Sequence, residues 1–151
     1  MADLDALDLA ILRLLGADGR LSFTDLAKQA GLSTSAAHQR VRRLEDRGVI
    51  RGYRAVVDPD AVGLSLTAFV SITPLDPADP DDLPERLAGI RAIESCHSVA
   101  GAENYLLKVR VAAPSALEAL LAEIRSAAHV ATRTTVVLST PFENRPESLA
   151  P

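Results

Sequence analysis

Between Ser22 and Gly48 the chain has room for only two short helices and a tight corner, and that arrangement restricts the fold more than any other stretch. The first helical segment begins at Ser22 or Thr24, turns Leu26 and Ala27 inward and stops at Gly31. Leu32-Ser33 then leads straight into a second segment from about Thr34 to Arg47, with Ser33 as N-cap and Gly48 as stop. Two helices joined through a short turn containing glycine are the helix-turn-helix signature. A further helix precedes them. It starts near Asp3 or Asp5, carries Leu4, Leu7, Ile11, Leu14 and Leu15 at helical spacing, and ends in Gly16-Ala17-Asp18-Gly19.

On a wheel of about 100° per residue, Ala37, Val41 and Leu44 form the core stripe of the third helix. Ser35, Ala36, Gln39, Arg42, Arg43 and Asp46 lie opposite, with His38, Arg40 and Arg47 on the flanks. Small hydroxyl and amide groups at the helix start suit base edges, and guanidinium groups further along suit phosphates. Taken alone, this face reads equally well as solvated basic surface; its place after a short helix and a glycine turn favours DNA. The charge distribution agrees. Residues 38–54 hold six arginines against Glu45 and Asp46, in a chain whose net charge is −4. The candidate DNA contacts are Ser33, Thr34, Ser35, His38, Gln39, Arg40, Arg42 and Arg43. Arg51 and Arg54 join them from Val49–Val57, which alternates like the strand or ribbon of a winged variant.

Asp58-Pro59-Asp60 with Gly63 marks a hinge. Beyond it the pattern gives a strand over 64–72, a Pro-rich loop (Pro74, Pro77, Pro80, Pro84) entering a helix that ends near Ile90, and a strand over 93–99. A turn at 101–104, a strand over 105–111, a helix from Pro114 to Ser126 and a β-branched strand over 130–138 follow. The order βαββαβ is the ferredoxin-like arrangement. The expected class is therefore α+β: residues 1–60 form a winged helix-turn-helix domain with a strand linker, and residues 61–151 a ferredoxin-like domain. With aromatics at 3% and no tryptophan, both cores must be aliphatic. Halves this small gain from the extra burial that oligomerisation supplies.

Several chemistries are disfavoured. Cys96 is the single cysteine, so no internal disulfide is possible, and a reducing, cytoplasmic setting is expected. There is no long apolar run for a membrane span, and the Met1–Asp5 start is acidic where a signal peptide would be basic. Cys96-His97 invites a metal or nucleophile reading, but neighbours on a strand point to opposite faces, so a buried or interfacial structural role is expected for Cys96. His38 and His129 lack ligand spacing. No G-x-x-x-x-G-K or G-x-S-x-G motif occurs, so neither cofactor, metal nor catalysis is expected. Asp3, Asp5 and Asp8 read as carboxylates that complement a helix dipole.

Taken together, the pieces resemble the Lrp/AsnC, or feast/famine, regulators over essentially the whole chain. They include Leu4-Asp5 with Asp8, Asp18-Gly19-Arg20, Gly31-Leu32-Ser33, Arg40-Val41 with Leu44-Glu45, and Gly48-Val49-Ile50 with Gly52-Tyr53. Glu94-Ser95-Cys96, Val99-Ala100-Gly101 and Tyr105-Leu106-Leu107 continue the match, and Ile72–Pro77 with Glu94–Gly101 resembles the actinobacterial branch. The resemblance implies a transcription regulator that binds double-stranded DNA. It implies homodimers formed through the C-terminal sheets and assembling to an octamer, and an amino-acid effector held between dimers. Carried onto this chain, the effector loop is Val99, Ala100, Gly101, Ala102, Glu103, Asn104 and Tyr105, with Thr134 and Thr135 as a second wall. The chain departs from the family in having Asn104 where an aspartate often precedes the tyrosine. A charge-assisted contact to the effector's ammonium is lost there unless Glu103 supplies it. Read without the family, this loop is an ordinary hairpin turn. Two other functions fit the same architecture: a sirohaem-decarboxylase-like enzyme, and an architectural DNA-binding protein of low specificity.

Overall fold

The computed structural model describes residues 4–76, 78 and 82–143; Asp3 as a possible cap, Pro77 and Pro80 of the loop, and the tail beyond Glu143 lie outside them. Two compact units result, one of the residues up to Val56 together with Phe142 and Glu143, the other of Val57–Pro141.

The first unit holds α1 (Ala6–Ala17), α2 (Phe23–Ala30) and α3 (Thr34–Asp46). Each begins at a side chain able to satisfy the orphan amides of a first turn. Asp5 accepts the Asp8 N–H at 2.8 Å, Ser22 the Asp25 N–H at 3.1 Å, and Ser33 the Ala36 N–H at 3.2 Å. The corner between α2 and α3 needs Gly31, whose φ of 67° is left-handed and lets the Leu32 N–H reach the Ala27 carbonyl at 2.8 Å. Ile11, Leu26, Val41 and Leu44 pack together at the centre. The strand expected over 49–57 is not formed within the chain. Val49 and Ile50 spend their N–H groups on the Leu44 carbonyl as a helix stop, and residues 51–57 are exposed with no ladder partner. Alternation alone cannot make a strand where no neighbour is supplied.

The second unit follows the expected order: β1 (Leu66–Pro74), α4 (Leu83–Leu87), β2 (Ile93–Ser98), β3 (Tyr105–Val111), α5 (Pro114–Ala128) and β4 (Val130–Val136). Its antiparallel sheet runs β2-β3-β1-β4, as a ferredoxin-like fold requires. Alternate residues of β1 and β3, among them Ala68, Val70, Ile72, Leu107 and Val109, are buried with Leu117, Leu120 and Ile124 of α5. The opposite face carries Phe69, Leu106, Lys108 and Arg110. His129, at a left-handed φ of 52°, turns α5 directly into β4.

Candidate nucleic-acid interface and effector loop

The third helix presents a narrower surface than its composition suggests. Ser35, Gln39 and Arg42, spaced i, i+4 and i+7, form one exposed stripe. Among the described residues, the Gln39 and Arg42 side chains make no hydrogen bond or ion pair, and the Ser35 hydroxyl lies 3.2 Å from that of Ser33. Thr34 is exposed in the first turn, and Asp46 closes the stripe at its far end. His38 is exposed on one flank, where its ring meets the Phe23 ring of α2 edge-on, with centroids 4.7 Å apart. Arg51 and Arg54 are exposed on the extended segment after α3 and have no partner among the described residues.

Arg40 and Arg43 lie off this stripe and are engaged in ion pairs within the unit. Arg40 donates from Nη1 to Asp5 at 2.7 Å and to Asp8 at 2.8 Å. Arg43 donates from Nη2 to both Asp8 oxygens, at 3.0 and 2.8 Å. Asp8 is the one buried charged residue among those described. A buried carboxylate must be compensated, and the nearest cations are the two arginines on the α1-facing flank of α3. The backbone N–H of Asp8, then the Arg40 guanidinium, hold the Asp5 carboxyl below its usual range; Asp5 and then Asp8 hold the Arg40 guanidinium above its own. The Asp residues therefore do more than complement a helix dipole. The signal was present in the sequence as two matched i, i+3 pairs, Asp5/Asp8 and Arg40/Arg43, but nothing there showed that the two helices face each other along those turns.

A second latch ties the segment after α3 to the helices. The Tyr53 hydroxyl donates to Glu45 Oε1 at 3.0 Å, and its pKa is pushed up to about 12 by desolvation and then by Glu45. A side chain at Gly19 would stand 3.5 Å from the Tyr53 ring.

In the second unit the loop at 99–104 closes β2 onto β3. The Val99 N–H donates to the Asn104 carbonyl at 3.0 Å, and the Asn104 N–H to the Ile72 carbonyl at 3.1 Å. Val99, Ala100, Gly101, Ala102 and Asn104 are exposed. Glu103 is paired with Arg133 of β4, a residue that sequence reasoning did not assign to this loop. Tyr105 is a buried core residue. Thr134 and Thr135 leave opposite faces of β4, Thr134 beside buried Val70 and Thr135 beside Phe69. Likewise Cys96 pairs with Leu107 and His97 with Leu106, so these neighbours point apart, and Cys96 is exposed on the edge strand rather than buried. Burial of part of its surface still pushes the thiol pKa up. No group of metal-ligating side chains occurs among the described residues, and no helix among them is long and apolar enough to cross a membrane.

Comparison with known proteins bears on both surfaces. Residues 4–51 match a family model described as winged helix-turn-helix DNA-binding, and residues 67–147 one described as Lrp/AsnC ligand binding domain. The chain is 56% identical to the HTH-type transcriptional regulator LrpA of Mycobacterium tuberculosis, over 94% of this chain and 95% of that one. It is 44% identical to a leucine-responsive regulatory protein of Salmonella typhimurium, over 80% of this chain and 75% of the relative. Among solved structures, a feast or famine regulatory protein from M. tuberculosis complexed with L-methionine superposes with a TM-score of 0.94 at 53% identity, covering 97% of this chain and 99% of that one.

Proposed function

Because this chain belongs to the Lrp/AsnC family of transcriptional regulators, we propose that it recognises a specific DNA sequence through α3 and alters its DNA affinity or assembly when an amino acid occupies the loop at 99–104. The observation that carries the DNA reading is the exposed stripe of Ser35, Gln39 and Arg42 on a helix entered through a capped N-terminus. A hydroxyl and an amide near the helix start can hydrogen-bond base edges, while Arg42, Arg51 and Arg54 supply sequence-independent contacts to phosphate.

The effector reading rests on relatives that are named leucine-responsive or bind L-methionine. It also suits the local chemistry. An amino-acid zwitterion carries an ammonium beside a carboxylate, and Glu103 with Arg133 offers the complementary pair. Asn104 adds a neutral acceptor only. Assembly belongs to the same reading: the exposed sheet face around Phe69 and Leu106 joins two copies, and dimers build an octamer. Two recognition helices of a dimer then read half-sites about one helical turn, roughly 34 Å, apart. The effector acts by linkage, favouring one assembly state that differs in DNA affinity. The protein works by binding, not catalysis, in the cytoplasm where its DNA lies.

The test is a gel shift on DNA from the gene's own upstream region, with and without each amino acid. A specific shift altered by one amino acid is the expected result and names the effector. A specific shift indifferent to all of them removes the effector reading and keeps the DNA one. No preference over competitor DNA at physiological salt overturns the DNA reading.

A further inference from the structure

The ion-pair cluster between α1 and α3 has a consequence for how DNA is read. We infer that Asp8 is a positioning residue for DNA recognition: it withdraws Arg40 and Arg43 from the nucleic acid, so that α3 meets DNA through the Ser35–Gln39–Arg42 stripe alone. The inference rests on the DNA-binding reading above and deepens it.

Three observations carry it. Asp8 is 0% exposed, and its two oxygens take three short hydrogen bonds from the two guanidinium groups. The partners are spaced about one turn apart on each side, Asp5 at the N-cap of α1 and Asp8 in its first turn against Arg40 and Arg43 on α3. Contacts at two levels fix both the rotation of α3 about its axis and its sliding along α1, which a single pair cannot do. Finally, the charges cancel: two carboxylates face two guanidiniums, so the cluster adds nothing to the positive field that draws phosphate.

Stability alone does not explain such a cluster. Taking charges out of water is costly, and apolar residues of similar volume stabilise a helix contact as well or better. What a buried ion pair adds is a unique arrangement. Left unpaired, Arg40 and Arg43 would be two mobile cations beside the reading stripe, and phosphate contacts carry no sequence information. Asp8 thus trades general affinity for selectivity.

The experiment measures affinity of the full-length chain for its upstream DNA and for a scrambled fragment across a range of salt. Each phosphate contact contributes about 0.9 to the slope of log affinity against log salt. Arg42→Ala should lower that slope by about one contact, whereas Arg43→Gln should leave it unchanged. Asp8→Asn should steepen the slope by about one contact, that of Arg43, since Arg40 keeps Asp5, and narrow the preference for upstream over scrambled DNA by about tenfold, as expected when non-specific binding gains. The triple variant Asp8→Asn/Arg40→Gln/Arg43→Gln should return the slope to that of the natural chain although the ion pairs are gone, an outcome that a merely structural role would not give. If Asp8→Asn does not fold, as circular dichroism will reveal, Arg43→Gln against Arg42→Ala still decides. Equal slope losses in those two variants place Arg43 on phosphate and overturn the inference while leaving DNA binding intact. A natural chain with no salt-dependent DNA binding overturns the DNA reading, and the inference with it.

Discussion

The two units solve the same packing problem in opposite ways. The C-terminal unit joins a sheet to α5 through an aliphatic core in which Val70, Ile72, Leu107, Val109 and Ile124 are fully buried, and no charged residue among those described is buried there. The N-terminal unit has a core centred on Ile11, Leu26, Val41 and Leu44, and beside it stands Asp8 with its two arginines. Hydrophobic burial is strong but non-directional. A sheet needs little further guidance, since its ladder already sets the register of β1 against β3 and β4. Three short helices have no ladder between them, and side chains must supply the orientation.

The largest expected effect tests how little the first unit has in reserve. Leu44→Ala removes a fully buried side chain and should cost about 2–5 kcal/mol, as Ile124→Ala should in the second unit. In the smaller core that loss should abolish the helical fold of the DNA-binding unit and leave the sheet, whereas Ile124→Ala should only lower the melting temperature of the sheet unit. Thermal melts followed by circular dichroism check both. Similar melting shifts from the two variants would break the comparison.

Next comes the polar half of the contrast. Asp8→Ala strands the Arg43 guanidinium and leaves Arg40 with Asp5 alone, and breaking such a cluster in a fully buried setting costs about 3–5 kcal/mol. Arg43 is 49% exposed and Arg40 23%, so water takes part of the burden and about 2–3 kcal/mol is expected. Urea unfolding measures it. A loss below about 1 kcal/mol, the range of surface pairs, would mean that the hydrophobic core orients the helices unaided.

These two regions also differ in how far they could be read from the amino-acid order. The βαββαβ order and the inward faces of β3 and α5 follow from local periodicity, which a sheet and an amphipathic helix both print directly on the chain. The caps Ser22 and Ser33 and the stop at Gly31 were equally local. What escaped was pairing across distance. A wheel shows which way Arg40 and Arg43 leave their helix and not that Asp5 and Asp8 stand opposite. Arg133 escaped the effector loop for the same reason, being 30 residues from Glu103. Thr134 and Thr135 are adjacent in the chain, and the two-residue period of a strand puts them on opposite faces.

A smaller effect isolates capping from packing. Ser33→Ala leaves the core untouched but removes the acceptor of the Ala36 N–H, a loss of about 1 kcal/mol. Because the loosened turn carries Thr34 and Ser35, specific DNA affinity should fall while the slope against salt stays unchanged. Binding titrations at several salt concentrations check it; a changed slope would assign Ser33 a phosphate contact instead.

The smallest effect concerns pH and sharpens the contrast at its two extremes. Asp5 has its carboxyl held below 3.8 by the Asp8 N–H first and by Arg40 second, so its contribution is present above that value and is lost as pH falls through the lower folded value. Tyr53 runs the other way. Desolvation and then Glu45 raise its hydroxyl from 10.0 to about 12, so the folded state keeps a proton that the unfolded chain releases first. Its contribution is whole below pH 10.0 and disappears as pH climbs towards about 12. Both groups belong to the N-terminal unit, which should therefore lose stability at both ends of the range before the aliphatic sheet unit does. Tyrosinate absorbance should show a late-titrating component that Tyr53→Phe removes. Were that component to remain in the variant, it would belong to buried Tyr105, and the latch on Glu45 would hold the segment after α3 without a protonic signature.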